Sequence, residues 1–288
     1  NSSLPAVQSL DEGETLTETF TYTMQDADGD PSSATLTITI TGSNDGPTLS
    51  LAATDSIVDE AGLSAGSAAA GDGEFASGSF TLADTDGLDD LQSVTINGKT
   101  VAIGDLQGET FAGDHGTLTV TAYNAVTGVA NYTYELTEAT TDGAGTETDS
   151  FSLSVTDGTG SSTPASLVIE IVDDVPQAVA DSASVGEDSL TAITGNVLTN
   201  DLHANDQPGA DTPNSFVNWT STTATHGTFT DLGDGNYSYL VNPNDAAVQG
   251  LDEGETLTET FTYTMQDADG DPSSATLTIT ITGSNDGP

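Results

Sequence analysis

The segment from Leu10 to Pro47, LDEGETLTETFTYTMQDADGDPSSATLTITITGSNDGP, returns letter for letter as Leu251 to Pro288. An active site has no use for a perfect second copy of itself 241 residues downstream. A chain that gains length by adding modules does, and such arrays fold as self-similar units joined in sequence. The repeat therefore predicts a tandem array with a largely mechanical role.

A looser copy lies between the two. Phe151 to Pro176 reads FSLSVTDGTGSSTPASLVIEIVDDVP and aligns with Phe20 to Pro47 without a gap through Ile169. Each copy opens with a period-2 run (Phe20, Tyr22, Met24; Phe151, Leu153, Val155) and then an Asp/Gly turn. A second period-2 run comes next (Leu36, Ile38, Ile40; Leu167, Ile169, Ile171) and ends at a polar pair and a proline. Alternation at period 2 with threonine on the outer positions predicts half-buried antiparallel strands, so each copy reads as the hairpin that closes a sandwich. Upstream, His115 to Leu118 matches His226 to Phe229, and Tyr132 to Tyr134 matches Tyr237 to Tyr239.

These matches divide the chain into three parts. Residues 1–47 are the C-terminal part of a truncated sandwich repeat, and 48–174 and 175–288 are complete modules. The expected fold is all-β, with antiparallel β-sandwich modules of about seven strands arranged end to end. No stretch carries apolar spacing of 3.6, so helix content should be low. A two- or three-stranded remnant is marginal alone. Residues 1–47 should therefore be less ordered than the rest, or complete their sheet with another molecule's strands.

Charge narrows the setting. Asp and Glu number 46 against one cationic side chain, Lys99, for a formal net charge of −45. Such a chain repels itself unless something neutralises it, and it excludes nucleic acid and anionic membranes as partners. A halophilic cytoplasm or a secreted life in calcium would each produce this composition. Here the acids gather in Asp-Gly-Asn turns rather than spreading over surfaces, which favours calcium. With no cysteine, metal is the natural substitute for disulfides. No apolar run approaches the ~20 residues that cross a bilayer, and no signal peptide heads the segment. A soluble fragment without membrane insertion is expected.

In a seven-stranded sandwich the chain crosses an odd number of times. Its last turn should then lie where the chain comes in, beside the linker from the preceding module. On this argument one junction gathers Asn44 and Asp45 with Glu60, Asp84, Asp86 and Asp157. The other gathers Asp173 and Asp174 with Glu187, Asp267 and Asp269, joined by Asp201 or Asp206. Oxygen donors alone, without sulfur or paired histidines, suit Ca2+ with its 6–8 oxygens better than Mg2+. Asp, Asn and Gly are also ordinary turn residues, and Asp26 to Asp30 fails the EF-hand template, with glycine at its fourth position instead of its sixth. The weight rests on convergence at a junction, seen twice.

The run ATLTITITGSNDGP resembles the closing hairpin and linker of cadherin repeats. GNVLTNDLHAND, HGTF and DGNYSYLVNPNDAAVQGLDEGETLTETFTYT are similar to the VCBS repeat of large bacterial surface proteins. The middle module resembles a related repeat of type I secreted adhesins of the RTX class. The resemblance covers essentially the whole chain. It implies Ig-like or cadherin-like extender modules of a giant adhesin, stiffened by calcium and exported through a type I channel to the bacterial cell surface. The chain would be monomeric and touch neighbouring repeats of its own, while other domains bind the adhesin's target and support adhesion or biofilm formation. The middle module departs from the cadherin-like turn, with Thr159 and Ser161 where the other copies have Asp, so no second calcium is implied there.

Other signals do not add up to an enzyme. Gly62 to Gly66 fits G-x-S-x-G, but that motif needs a strand–turn–helix setting and sits here in a Ser/Ala/Gly stretch. His115 and His226 hold equivalent places before a strand and read as structural; His203 could be a minor metal neighbour. Trp219 reads as a core or rim aromatic. The alternative function is a carbohydrate- or protein-binding module, which exposed aromatics clustered on one face would favour.

Overall fold

The computed structural model describes residues 3–52, 56–141, 147–201 and 209–285. The period-2 segments become strands, and among the described residues helix is confined to Pro5–Gln8 and the 3-10 turns Glu60–Gly62 and Ile103–Asp105. The chain forms two compact units. One holds residues 1–56, 76–135 and 149–169; the other holds 57–75, 136–148 and 170–288.

Strands β1 (Thr15–Gln25) and β2 (Pro31–Thr41) make a hairpin paired over eleven positions, from Thr15 opposite Thr41 to Gln25 opposite Pro31. Next come β3 (Thr48–Leu51), β4 (Ile57–Asp59), β5 (Phe75–Ala83), β6 (Ser93–Ile96) and β7 (Lys99–Ala102). After them come β8 (Thr110–Ala112), β9 (Gly116–Asn124), β10 (Val129–Leu136), β11 (Glu147–Thr156) and β12 (Ala165–Val172). They form two sheets, ordered β3-β5-β10-β9-β8 and β4-β12-β11-β6-β7. Instead of about seven strands, the described residues hold ten segments. The opening strand is split into β3 and β4, one on each sheet, and β7 and β8 are short additions.

The remaining strands are β13 (Asp181–Gly186), β14 (Ile193–Asn196), β15 (Ser215–Trp219), β16 (Gly227–Gly233), β17 (Asn236–Val241), β18 (Thr256–Gln266) and β19 (Pro272–Thr282). They pair as β13-β19-β18-β15 and β14-β17-β16. Alternation puts Phe261, Tyr263 and Met265 of β18 and Leu277, Ile279 and Ile281 of β19 in the interior. Tyr237, Tyr239 and Val241 of β17 meet them there. Trp219 packs edge-on against Phe229 at 4.8 Å between ring centres, and Phe229 stacks on Phe261 at 4.2 Å.

Two pairings depart from the antiparallel expectation. The opening strand of each sandwich runs parallel to the closing one: Ile57 and Asp59 of β4 pair with Glu170 and Val172 of β12. Likewise β13 pairs with β19 from Asp181 opposite Leu277 to Gly186 opposite Thr282. A closing hairpin leaves its last strand as an edge, and the opening strand covers that row of unpaired backbone groups.

The two histidine turns share one device. Buried Asp149 accepts the backbone N–H groups of Asp114, His115 and Gly116 and the hydroxyl of Tyr134. Buried Glu259 does the same for Thr225, His226 and the Tyr239 hydroxyl. Both are buried acids satisfied by donors from a tight turn, which agrees with a structural reading of His115 and His226. Gly62 to Gly66 leads from β4 through a 3-10 turn into further turns, without the helix a nucleophile elbow requires.

The two identical hairpins meet different surroundings. Phe261 and Tyr263 are fully buried, whereas their copies Phe20 and Tyr22 are 50% and 54% exposed. Truncating a fully buried phenylalanine costs about 3–5 kcal/mol, while an exposed one changes stability by no more than about 0.5 kcal/mol. Phe261→Ala is therefore expected to lower the urea midpoint of unfolding sharply, and Phe20→Ala to leave it nearly in place. Equal shifts for the two variants would contradict this packing.

Candidate metal sites

The first carboxylate group belongs to the first unit. The loop after β5 carries Asp84, Asp86 and Asp90, whose carboxylates offer oxygens within 4.8 Å of one another. The segment between β2 and β3 docks on this loop: the Asp45 N–H donates to Asp86 Oδ2 at 2.6 Å. Asn44 Nδ2 donates to Asp157 Oδ2 at 2.9 Å, which brings in the turn after β11. Asp157 Oδ1 accepts from the N–H groups of Thr159 and Gly160. Burial raises the Asp157 pKa, but these donors and Asn44 outweigh it and hold the carboxyl down at about 2. Asp84 and Asp90 go the other way, raised by burial and by neighbouring acids. Asp84 Oδ2 and Asp86 Oδ1 are buried with no hydrogen-bond donor among the described residues.

The second group belongs to the second unit and gathers three stretches of chain. Glu60, Asp173 and Asp211 offer oxygens within 4.8 Å of one another, as do Asp173, Asp269 and Asp271. Parallel pairing explains the presence of Glu60. Where Asp59 lies opposite Val172, the next residues on the two strands are Glu60 and Asp173. Fully buried Glu60 accepts the N–H and hydroxyl of Thr140 on Oε1, at 2.7 and 2.6 Å. Asp174 ties two loops together, taking the Ser67 N–H and the Ala210 N–H on Oδ2 at 2.8 and 3.0 Å. The turn after β18 is held by Asp267 Oδ1, which accepts from Gly270 and Asp271, and the Ala268 N–H donates to the Asp211 carbonyl at 3.1 Å.

Electrostatics makes this group unsettled by itself. Asp173 is raised by burial first, then by contact with Asp271 and the charge of Asp269. Asp211 is raised by burial, then by Glu60 and Asp269, and Asp267 by burial, then by Asp269. Among the described residues no donor reaches Glu60 Oε2, Asp173 Oδ1, Asp211 Oδ2 or either oxygen of Asp269, all of them buried. The one lysine is elsewhere, 2.7 Å from Glu109 and 5.1 Å from the Phe111 ring centre. Buried, donor-free carboxylate oxygens converging from several segments fit a hard divalent cation that prefers oxygen.

Of the residues singled out in the sequence, Asn44, Asp45, Asp84, Asp86 and Asp157 come together. So do Asp173 and Asp269, flanked by Asp174 and Asp267. Glu60 joins Asp173 and Asp211 rather than Asp84 and Asp86. Glu187 is not in the second group. Parallel pairing places it beside the end of β19, where it accepts the N–H and hydroxyl of Ser284. Asp201 is committed to the core, accepting the Val179 N–H at 2.6 Å and the Tyr263 hydroxyl at 2.8 Å. Asp206 and His203 lie outside the described residues. Asp90, Asp211 and Asp271 were missed. Asp90 and Asp211 do share a signal: each stands four or five residues before a residue, Val94 or Phe216, that pairs with the closing hairpin.

Residues 173–283 match the bacterial cadherin-like domain family. No curated protein sequence matches the chain. Among solved structures, the chain is similar to protocadherin gamma B2 extracellular cadherin domains 3-6, at 11% identity and a TM-score of 0.39, covering 93% of this chain and 57% of that one. Domains 1-5 of the same protein give 10% identity and a TM-score of 0.39, over 94% of this chain and 46% of that one. Mouse clustered PcdhgC3 EC1-3 gives 15% identity and a TM-score of 0.33, over 94% and 78%. The chain thus spans about half the length of the protocadherin gamma B2 structures. Among the described residues no helix is long and apolar enough to cross a membrane.

The raised carboxyls set the sign of a pH dependence. Unfolded aspartates titrate near ~3.9, whereas Asp173 and Asp211 reach about 8 when folded. Between these values the folded state binds more protons, so stability falls as pH rises. In chelator the melting temperature is expected to drop from about pH 4 to about pH 8. Excess Ca2+ should remove or reverse that slope, because the ion binds the ionised forms. Parallel melting curves in chelator and calcium across this range would refute the assignment.

Proposed function

We propose that the chain is a calcium-stiffened spacer from an extracellular adhesion-type protein, with no chemistry of its own. The observation that carries this reading is the second carboxylate group. Glu60 comes from the sequence before the acidic segment Asp173-Asp174, and Asp211, Asp269 and Asp271 come from the sequence after it. Ions held by the two sets in this group, which share Asp173, would tie the chain on one side of that segment to the chain on the other. The match of residues 173–283 to the bacterial cadherin-like domain supports an extracellular adhesion setting.

In this reading residues 1–47, 48–174 and 175–288 are successive repeats of a bacterial cell-surface adhesin of the type I secreted class. Their partners are the neighbouring repeats, and other domains grip the target. Glu60, Asp173 and Asp211 would hold one Ca2+, and Asp173, Asp269 and Asp271 a second. Asp84, Asp86 and Asp90, with Asp45 and Asp157 beside them, would hold a third. Bound calcium supplies charge neutralisation and a fixed set of oxygen contacts. Thr140 orients Glu60, and Asp174 fixes the loops at Ser67 and Ala210. The binding-module alternative is less well supported: Trp219 packs on Phe229 and Tyr263, and exposed Phe20 and Tyr22 repeat residues that are core in the second copy.

Calcium at about 1,000 times its Kd would add roughly 4 kcal/mol to the folded state. It is expected to raise the melting temperature, slow proteolysis near residues 173–180 and narrow the small-angle scattering distribution relative to chelator. Superimposable scattering profiles in the two buffers would defeat the spacer reading. Thr140→Ala removes a partner that orients a ligand and should weaken calcium binding about 10–100-fold. Glu187→Ala should leave the second group's affinity unchanged in calorimetry. A large loss there would reassign the ligands.

A further inference from the structure

More oxygens converge on Tyr263 than its one proton can serve. Its hydroxyl oxygen lies 2.8 and 3.0 Å from the two carboxylate oxygens of Asp201 and 3.1 Å from Asp181 Oδ2. The carbonyls of Val179 and Val197 are 2.9 and 3.3 Å away. Tyr263 and Asp201 are buried, and Asp181 is partly buried. A phenol brings one proton, while ionised carboxylates and carbonyls bring none. With both acids ionised, the hydroxyl can satisfy one of them and leaves the other against a lone pair, which is costly in an interior. One further proton removes the conflict: one acid donates to the phenol oxygen while the phenol donates to the other. Asp201 takes the Val179 N–H on Oδ1 at 2.6 Å and the phenol on Oδ2. Both of its oxygens are thus accepting, and the proton falls to Asp181.

We propose that Asp181 carries a proton that it donates to the Tyr263 hydroxyl, and that this proton makes the fastening of the start of β13 sensitive to pH. Asp181 is the first residue of β13, and Val179 just before it is held in the same network. The other groups that face Asp181 among the described residues are Asn200, whose side chain hydrogen-bonds it, and Tyr237, which is raised by burial and then by the charge of Asp181. Burial, with the charge of Asp201 added, pushes Asp181 up to about 6 against the hydrogen bonds of Tyr263 and Asn200. Unfolded aspartate titrates near ~3.9, so the folded state holds this proton more tightly. The network's stabilisation is then complete below about pH 4 and is lost as pH rises through about 6. Above that, Asp181 and Asp201 repel each other and the start of β13 loosens. The proposal goes beyond the spacer reading and needs no metal.

The test uses the full chain carrying Asp181→Asn, whose amide donates to Tyr263 at every pH and still accepts from Asn200. Urea midpoints are compared with the unaltered chain from pH 4 to pH 8, in saturating Ca2+ and again in chelator. The comparison cancels the titration of the carboxylate groups that both chains share. The variant is expected to match the unaltered chain near pH 4 and to exceed it above pH 7, by up to about 100-fold in the folding equilibrium constant, with the same gap in both buffers. In the unaltered chain the carboxyl carbon of Asp181 should titrate near pH 6 in carbon-13 NMR. A gap that does not widen with pH, whatever its sign, would overturn the proposal, as would an Asp181 carboxyl that titrates at or below ~3.9. A gap present in chelator and closed by Ca2+ would overturn it too, because a cation and not a proton would then join the two acids.

Discussion

Parallel pairing of the opening strand with the closing strand is the constraint on which the rest depends. It covers an edge that the closing hairpin leaves open, and it sets where acidic residues can meet. With β4 beside the end of β12, Glu60 is delivered to Asp173 at the start of the connecting segment. With β13 beside β19, Glu187 is delivered in the same way to Ser284. The equivalence of these two glutamates is a consequence of the pairing. Glu60 meets Asp173 and Asp211, which come from the connecting segment and from the chain beyond it.

Burial without donors decides what such a set of carboxylates can do. An isolated acid in a fold can be satisfied by turn N–H groups, as Asp149, Glu259 and Asp157 are. In the second group the donors among the described residues go to Glu60 Oε1, Asp174 and Asp267 Oδ1, leaving oxygens of Asp173, Asp211 and Asp269 without one and Asp173 close to both of the others. Desolvation and mutual repulsion then act in the same direction, and protons or a cation must resolve them. At neutral pH a divalent ion is the stronger solution, since it neutralises several carboxylates at once. A chain with 46 acids and one lysine has no internal counter-charge to offer.

The repeated hairpin separates local from tertiary causes, because the sequence is held constant. Register and strand length come out the same at 15–41 and 256–282, and each turn is closed on its first Asp side chain, Asp26 or Asp267. Burial does not. Tyr263 donates its hydroxyl to Asp201 in the interior, while Tyr22 stands half exposed. Strand and turn formation here are properties of short stretches of chain; burial belongs to whatever sheet is packed opposite.

Much was readable from residues alone. Alternation named the buried faces of both closing hairpins, and spacing grouped Asn44, Asp45, Asp84, Asp86 and Asp157, because segments flanking a sandwich end must approach one another. Glu60 was out of reach of that argument. Counting crossings treats the opening strand as a single pass, whereas it is split into β3 and β4 and the second piece runs parallel to β12. Asp211 was hidden for a related reason. Asp201 and Asp206 look equally acidic in sequence, and only packing shows that Asp201 is spent on the Tyr263 hydroxyl while Asp211 faces Glu60 and Asp173. Period and composition act through neighbours along the chain, so they determined strands, turns and the surplus of negative charge. Which carboxylates come together is set by contacts between distant segments, and only the tertiary structure decided those.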